Sequence, residues 1–228
     1  MTKPIYLLAD SQLLFQTDDN GVAHRIRADL SCGSPKAAYI GASNGDNMEF
    51  YGIFTAAMRA IEVSHCRMVP AQLAPEDRGF LHEADLIVLA GGDVERGWRV
   101  FEQNGLKDLI LSKRYKNTTL VGVSAGAVQL GLGTLTQAEH PETLNLFGFA
   151  PFYIGAHEEI NEWYDLRVLI NLAQPPIRGI GLRAGGGAVY WPDGTLEPIR
   201  RPLIELAKCD NQIHECLLLP LDPGAAGG

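Results

Sequence analysis

Short apolar runs alternate along the chain with segments whose apolar residues recur at helical spacing. Ile5-Tyr6-Leu7-Leu8-Ala9 reads as a first buried strand. Ala37–Ala42 is a second, and it ends in Gly41-Ala42-Ser43-Asn44-Gly45-Asp46, a cluster of turn and helix-start residues. Residues 46–62 then carry Met48, Tyr51, Phe54, Thr55, Met58 and Ile61 on one helical face. Cys66–Val69 follows as a parallel-strand candidate, and a short helix is expected over 75–83. The most continuous run is Asp85–Ala90 (DLIVLA), as expected of a strand covered on both faces, and it stops at Gly91-Gly92-Asp93. Helices over 94–103 and 106–115 precede Thr118–Val123, a strand that runs directly into Ser124-Ala125-Gly126-Ala127. This alternation predicts an α/β fold, a doubly wound and mostly parallel sheet with helices on both faces.

The last third is less regular. A helix is expected near 161–173, then strands near 178–182, 187–191 and 196–200, the last two joined through Asp193-Gly194 as a hairpin. Residues 10–28 are read as another hairpin, turning at Asp18-Asp19-Asn20-Gly21. Both would be antiparallel additions at the sheet edges. Residues 1–222 are expected to form a single domain and 223–228 a frayed tail.

Composition narrows the function classes. At 228 residues, 46% of them apolar, the chain is long enough for one substantial core and too apolar for intrinsic disorder. Its net charge of −8, with no basic run, is wrong for a nucleic-acid or anionic-membrane partner. The opening lacks a signal-peptide pattern, so a cytoplasmic location is expected. Cys32, Cys66, Cys209 and Cys216 are scattered without metal-ligand spacing, and so are the six histidines. Neither a metal nor another cofactor is expected.

The candidate chemistry lies at the strand ends. Gly122-Val123-Ser124-Ala125-Gly126 matches G-x-S-x-G after a buried strand and before a helix-prone segment. Such a turn is sharply bent, needs small neighbours, and pushes the Ser124 hydroxyl out at the carboxyl end of the sheet. The Ala125 N–H is the natural donor to a developing oxyanion, and the glycine N–H groups of Gly91-Gly92-Asp93 could complete that hole from the neighbouring strand end. The alternative reading of this second turn is packing, with Asp93 as a helix N-cap. Serine needs a base, and the histidines supply the candidates. His157, following the strand-like Phe152–Ala156, stands at a strand end from which a loop could return to Ser124.

These residues resemble the dipeptidase E and cyanophycinase family of serine peptidases, over about residues 37 to 195. The resemblance is carried by Ala90-Gly91-Gly92-Asp93, by Gly122–Ala127, and by Leu146-Phe147-Gly148-Phe149 with Gly155-Ala156-His157. It implies a flavodoxin-like, class I glutamine amidotransferase-like fold. It also implies hydrolysis of a small peptide or isopeptide bond after aspartate through an acyl-enzyme. Carried over, Ser124 is the nucleophile, His157 the general base and then acid, and the N–H groups of Gly92 and Ala125 the oxyanion hole. Glu139 falls where one family carboxylate is expected. The segment Gly181–Gly185, where another is expected, carries none. Gly91 and Asp93 would border the substrate. The family places arginines that clamp the substrate aspartate shortly after the histidine; here the first arginine, Arg167, comes only after that stretch and is the remaining substrate-binding candidate. Glu158, Glu159 and Glu162 precede it, and such an acidic stretch would repel an acidic side chain and attract an amine. Aspartate specificity is therefore not carried over.

Other readings stay open at this point. A relative that has kept the fold and pocket would bind without cleaving. An amidotransferase glutaminase would need Cys where Ser124 stands. An α/β-hydrolase esterase would use a histidine near the end, here His214. The expected partner is a small peptide, with a homodimer left open.

Overall fold

The structure, a computed structural model, describes residues 2–15, 21–30, 33–114, 116–174, 176–210 and 212–221. The strands are β1 (Ile5–Leu8), β2 (Lys36–Ile40), β3 (His65–Val69), β4 (Leu86–Leu89), β5 (Thr119–Val123), β6 (Gly133–Leu135), β7 (Thr143–Asn145), β8 (Tyr153–Ala156), β9 (Arg178–Leu182), β10 (Gly187–Tyr190), β11 (Leu196–Ile199), β12 (Leu203–Cys209) and β13 (Gln212–Leu218). The helices are α1 (Val22–Asp29), α2 (Met48–Ala60), α3 (Pro75–Glu83), α4 (Val94–Gln103), α5 (Leu106–Arg114), α6 (Ala125–Leu130) and α7 (Tyr164–Leu172).

The main sheet has the order β11-β10-β1-β5-β4-β2-β3. Its five strands from β1 to β3 are mutually parallel, and the β10–β11 hairpin is added antiparallel at the β1 edge. The strands are short and apolar because both faces are covered, and alternate residues serve opposite cores. Leu7, Ile40, Leu89 and Leu120 face a core closed by Leu81 of α3, Trp98 and Phe101 of α4 and Ile110 of α5. Leu8, Tyr39, Val88 and Val121 face the other core, closed by Val22 and Ile26 of α1 and Phe54 and Met58 of α2.

The first expected hairpin is not formed. Residues 11–15 make a 3-10 turn that buries Leu13 and Leu14, and α1 occupies 22–29. Val22, Ala23 and Ile26 are buried together, a helical spacing that the preceding polar turn signal obscured. Of that expected turn, residues 18–20 lie outside the described residues, as does the expected tail. Gly21, the remaining turn residue, instead flanks α1 as its N-cap.

A second sheet, β13-β12-β9-β8, packs on α7 through Trp163, Leu166, Ile170, Ile204 and Leu206. The sequence pattern placed β9 but not the long β12–β13 hairpin. β8 belongs to this sheet and pairs parallel with β9, which carries its downstream loop toward the main sheet.

Candidate active site

Parallel register aligns the carboxyl ends of four strands: Leu8 lies beside Val123, Gly122 beside Leu89, and Leu89 beside Ile40. The chain leaves β5 through Ser124, whose backbone takes φ 50° and ψ −112°, a conformation that costs a non-glycine residue on the order of 1–3 kcal/mol. Its N–H donates to the Leu8 carbonyl at 2.8 Å, and its carbonyl accepts from Ala127 and Val128, so the bend is held from both sides. The flanking glycines are obligatory on contact grounds. A Cβ at Gly122 would lie 2.5 Å from the Gly126 carbonyl oxygen, and one at Gly126 would lie 2.1 Å from that of Leu89.

The Gly91-Gly92 turn sits opposite. A Cβ at Gly91 would meet the Ser124 Cβ at 3.3 Å. Gly92 has φ 135°, and a Cβ there would lie 2.3 Å from the Ser43 carbonyl oxygen. That carbonyl accepts the Asp93 N–H at 2.9 Å, while Asn44 Nδ2 donates to the Gly91 carbonyl at 3.3 Å and to Tyr39 Oη at 2.9 Å. Behind them the buried Gln129 Nε2 donates to Ser43 Oγ and to the Val94 carbonyl, both at 3.0 Å. The Gly92 turn is thereby clamped to the loop after β2. The backbone N–H groups of Gly92 and Ala125 donate to no acceptor among the described residues. Asp93 caps α4, its Oδ1 accepting the Arg96 N–H at 2.7 Å, and does not line the cleft.

Ser124 and His157 line one cleft of about 260 Å³, together with Gly91, Gly92, Ala9 and Asp10. His157 follows β8 with a left-handed backbone, φ 62°. Its Nε2 lies 2.8 Å from the Ala9 carbonyl oxygen. A carbonyl only accepts, so this nitrogen carries the hydrogen and the neutral ring keeps its lone pair on Nδ1. No hydrogen bond joins Ser124 to His157 among the described residues, a separation common in unliganded sites. The other five histidines are exposed and outside the cleft; His214 stands on β13.

Glu139 is exposed at the turn between β6 and β7, outside the cleft, and makes no hydrogen bond to His157 among the described residues. Arg167 is also elsewhere, bonded to the Glu162 carbonyl and paired with Glu215. The acidic stretch after His157 turns away too. Glu158 packs under Gly155 and accepts the Leu166 N–H at 3.3 Å, and burial pushes its carboxyl up to about 7. Glu159 accepts the Ala184 N–H. The residue that sequence reasoning missed is Asp10. Its Oδ1 accepts the Gln12 N–H at 3.0 Å and its Oδ2 the Gly185 N–H at 2.7 Å. It thus brings a carboxylate to the segment Gly181–Gly185, which has none of its own. The one available signal was its place just past a strand end.

Comparison with known proteins gives the family and the fold. Peptidase family S51 matches residues 60–185, more than half of the chain, including both glycine turns and His157. The fold is similar to that of a peptidase from an acI-B1 Actinobacterium, at 16% identity and TM-score 0.66, over 97% of this chain and 96% of that one. It is also similar to a putative peptidase E protein from Listeria monocytogenes EGD-e, at 14% identity and TM-score 0.56, over 96% of this chain and all of that one. No curated protein matches the chain by sequence.

Proposed function

We propose that this chain, which belongs to peptidase family S51, hydrolyses the amide bond of a small peptide by acyl transfer to Ser124, with His157 as the base. The family makes it a serine-type peptidase, a hydrolase. The observation that carries the assignment of residues is the elbow, a strained Ser124 at the end of a central strand, facing the cleft that His157 also lines.

In the proposed reaction, Ser124 Oγ attacks the scissile carbonyl as the imidazole takes its proton. The negative charge that develops on the carbonyl oxygen falls to the N–H groups of Gly92 and Ala125, which donate to no other acceptor among the described residues. Collapse breaks the C–N bond, and the imidazolium gives its proton to the leaving amine. Water then attacks the ester with the same base, releasing the acid and restoring Ser124. The Ala9 carbonyl takes the orienting role that a carboxylate has in a serine triad, since it holds one ring N–H in both the neutral and the charged ring. Free Cys66, Cys209 and Cys216 support a reducing, cytoplasmic setting.

The test is labelling by a fluorophosphonate probe. The parent protein is expected to label, and Ser124→Ala not at all. His157→Ala should slow peptide turnover by roughly 10³-fold or more. A parent that neither labels nor turns over any short peptide overturns the reading and leaves the non-catalytic binding protein in its place.

A further inference from the structure

The cleft is apolar along the side built by α2. Phe50, Ile53 and Phe54 share one face of that helix and line the cleft with Leu14, Tyr39 and Val88. Phe54 is 3% exposed and belongs to the core, whereas Phe50 and Ile53 are 49% and 38% exposed at the mouth. The Tyr39 and Phe54 ring centroids are 5.2 Å apart, and those of Tyr51 and Phe54 are 5.9 Å apart, so the wall is braced from behind. At about 260 Å³ the space lies just below the ~300 Å³ at which pockets for drug-sized ligands begin, which suits one residue better than a chain.

Charge is distributed just as unevenly. Among the described residues no lysine or arginine lines this cleft, and the one carboxylate is that of Asp10. Both Asp10 oxygens are fixed by backbone N–H groups, yet each keeps accepting capacity for a further donor. A substrate aspartate side chain would lose water here and find apolar carbon and a like charge. A large apolar side chain would instead cover Phe50 and Ile53, and an ammonium would find Asp10.

Resting on the assignment of Ser124 as nucleophile, we propose that the substrate is a short peptide whose amino-terminal residue acylates Ser124. The side chain of that residue is large and apolar and packs on Phe50, Ile53 and Phe54, and its free ammonium group faces Asp10.

The test compares the coumarin amides of phenylalanine, leucine, aspartate and N-acetylphenylalanine, with fluorophosphonate labelling of the parent run alongside. Phenylalanine and leucine amides are expected to exceed the aspartate amide in kcat/KM by about tenfold or more, and N-acetylation to cost about tenfold. Asp10→Asn should bring the free and acetylated substrates together, a ratio that does not depend on how much total activity survives. Ile53→Arg should raise turnover of the aspartate amide, a gain that misfolding cannot produce. A labelled parent that prefers the aspartate amide overturns the inference and leaves Ser124 as nucleophile. A free-amine preference unchanged by Asp10→Asn overturns the assignment of Asp10. A parent that neither labels nor cleaves any of the four overturns the underlying reading itself.

Discussion

His157 Nε2 lies 2.8 Å from the carbonyl oxygen of Ala9, so a backbone acceptor at the end of β1 fixes the tautomer of the candidate base. The position of that acceptor is well determined, because the Ala9 N–H donates to the Gly186 carbonyl at 2.9 Å and β1 is paired on both sides. The neutral ring is therefore expected to carry its hydrogen on Nε2. Nitrogen-15 NMR of labelled His157 with a neutral ring should show a protonated Nε2 and a bare Nδ1; the reverse tautomer would contradict the contact.

The elbow predicts where alanine cannot be tolerated. Gly126→Ala places a methyl 2.1 Å from the Leu89 carbonyl oxygen, inside the central sheet, where backbone cannot yield. A loss of about 1–3 kcal/mol in denaturant unfolding is expected, the usual size of an overpacking defect. Gly52→Ala is the matched control, since a methyl there meets nothing within 4 Å. It should be neutral or slightly stabilising, because alanine favours a helix interior.

The oxyanion turn should fail differently. Gly92→Ala must shift the turn away from Ser43, taking its N–H with it while Ser124 and His157 stay in place. The expected result is a fall in kcat of roughly 10²–10³, the cost of one oxyanion donor. KM should change much less. A KM effect alone would show that Gly92 binds substrate without stabilising the transition state.

Glu158 gives a pH signature. Burial raises its carboxyl from 4.5 to about 7, so the folded chain keeps a proton that the unfolded chain gives up above 4.5. Stability from this group is complete below pH 4.5 and is lost as pH rises through 7. Glu158→Gln should therefore match the parent near pH 4 and exceed it at pH 8, by on the order of 2 kcal/mol. Denaturant midpoints at the two pH values measure this. Equal differences at both would rule out the buried carboxyl as the cause.

Two carboxylate and arginine assignments made on spacing should prove inert. Arg167 pairs with Glu215 on the surface, with side chains 35% and 41% exposed, a pair worth about 1 kcal/mol at most. Glu139 lies on an exposed turn outside the cleft. Arg167→Ala and Glu139→Gln should leave kcat and KM unchanged in peptide hydrolysis, and a large loss in either would return that residue to the site.

Much of this was decided by local pattern. The apolar runs ending in Gly91-Gly92 and in Gly122–Gly126 were legible as strands followed by sharp turns, because a strand buried on both faces has no polar positions and small residues must follow where the chain bends sharply. The Asp193-Gly194 turn fixed the edge hairpin in the same way. Sequence also ranked His157 above five other histidines, since it alone followed an apolar run ending in small residues. What the linear order could not supply was distance between strand ends. Ala9 and Asp10 after β1, Phe50 on α2, Gly92 after β4, Ser124 after β5 and His157 after β8 are far apart along the chain, and only parallel register and the second sheet bring them to one cleft. The same holds for the acceptor on the histidine. A backbone carbonyl is present at every residue, so no motif can mark the one that tertiary packing puts to use.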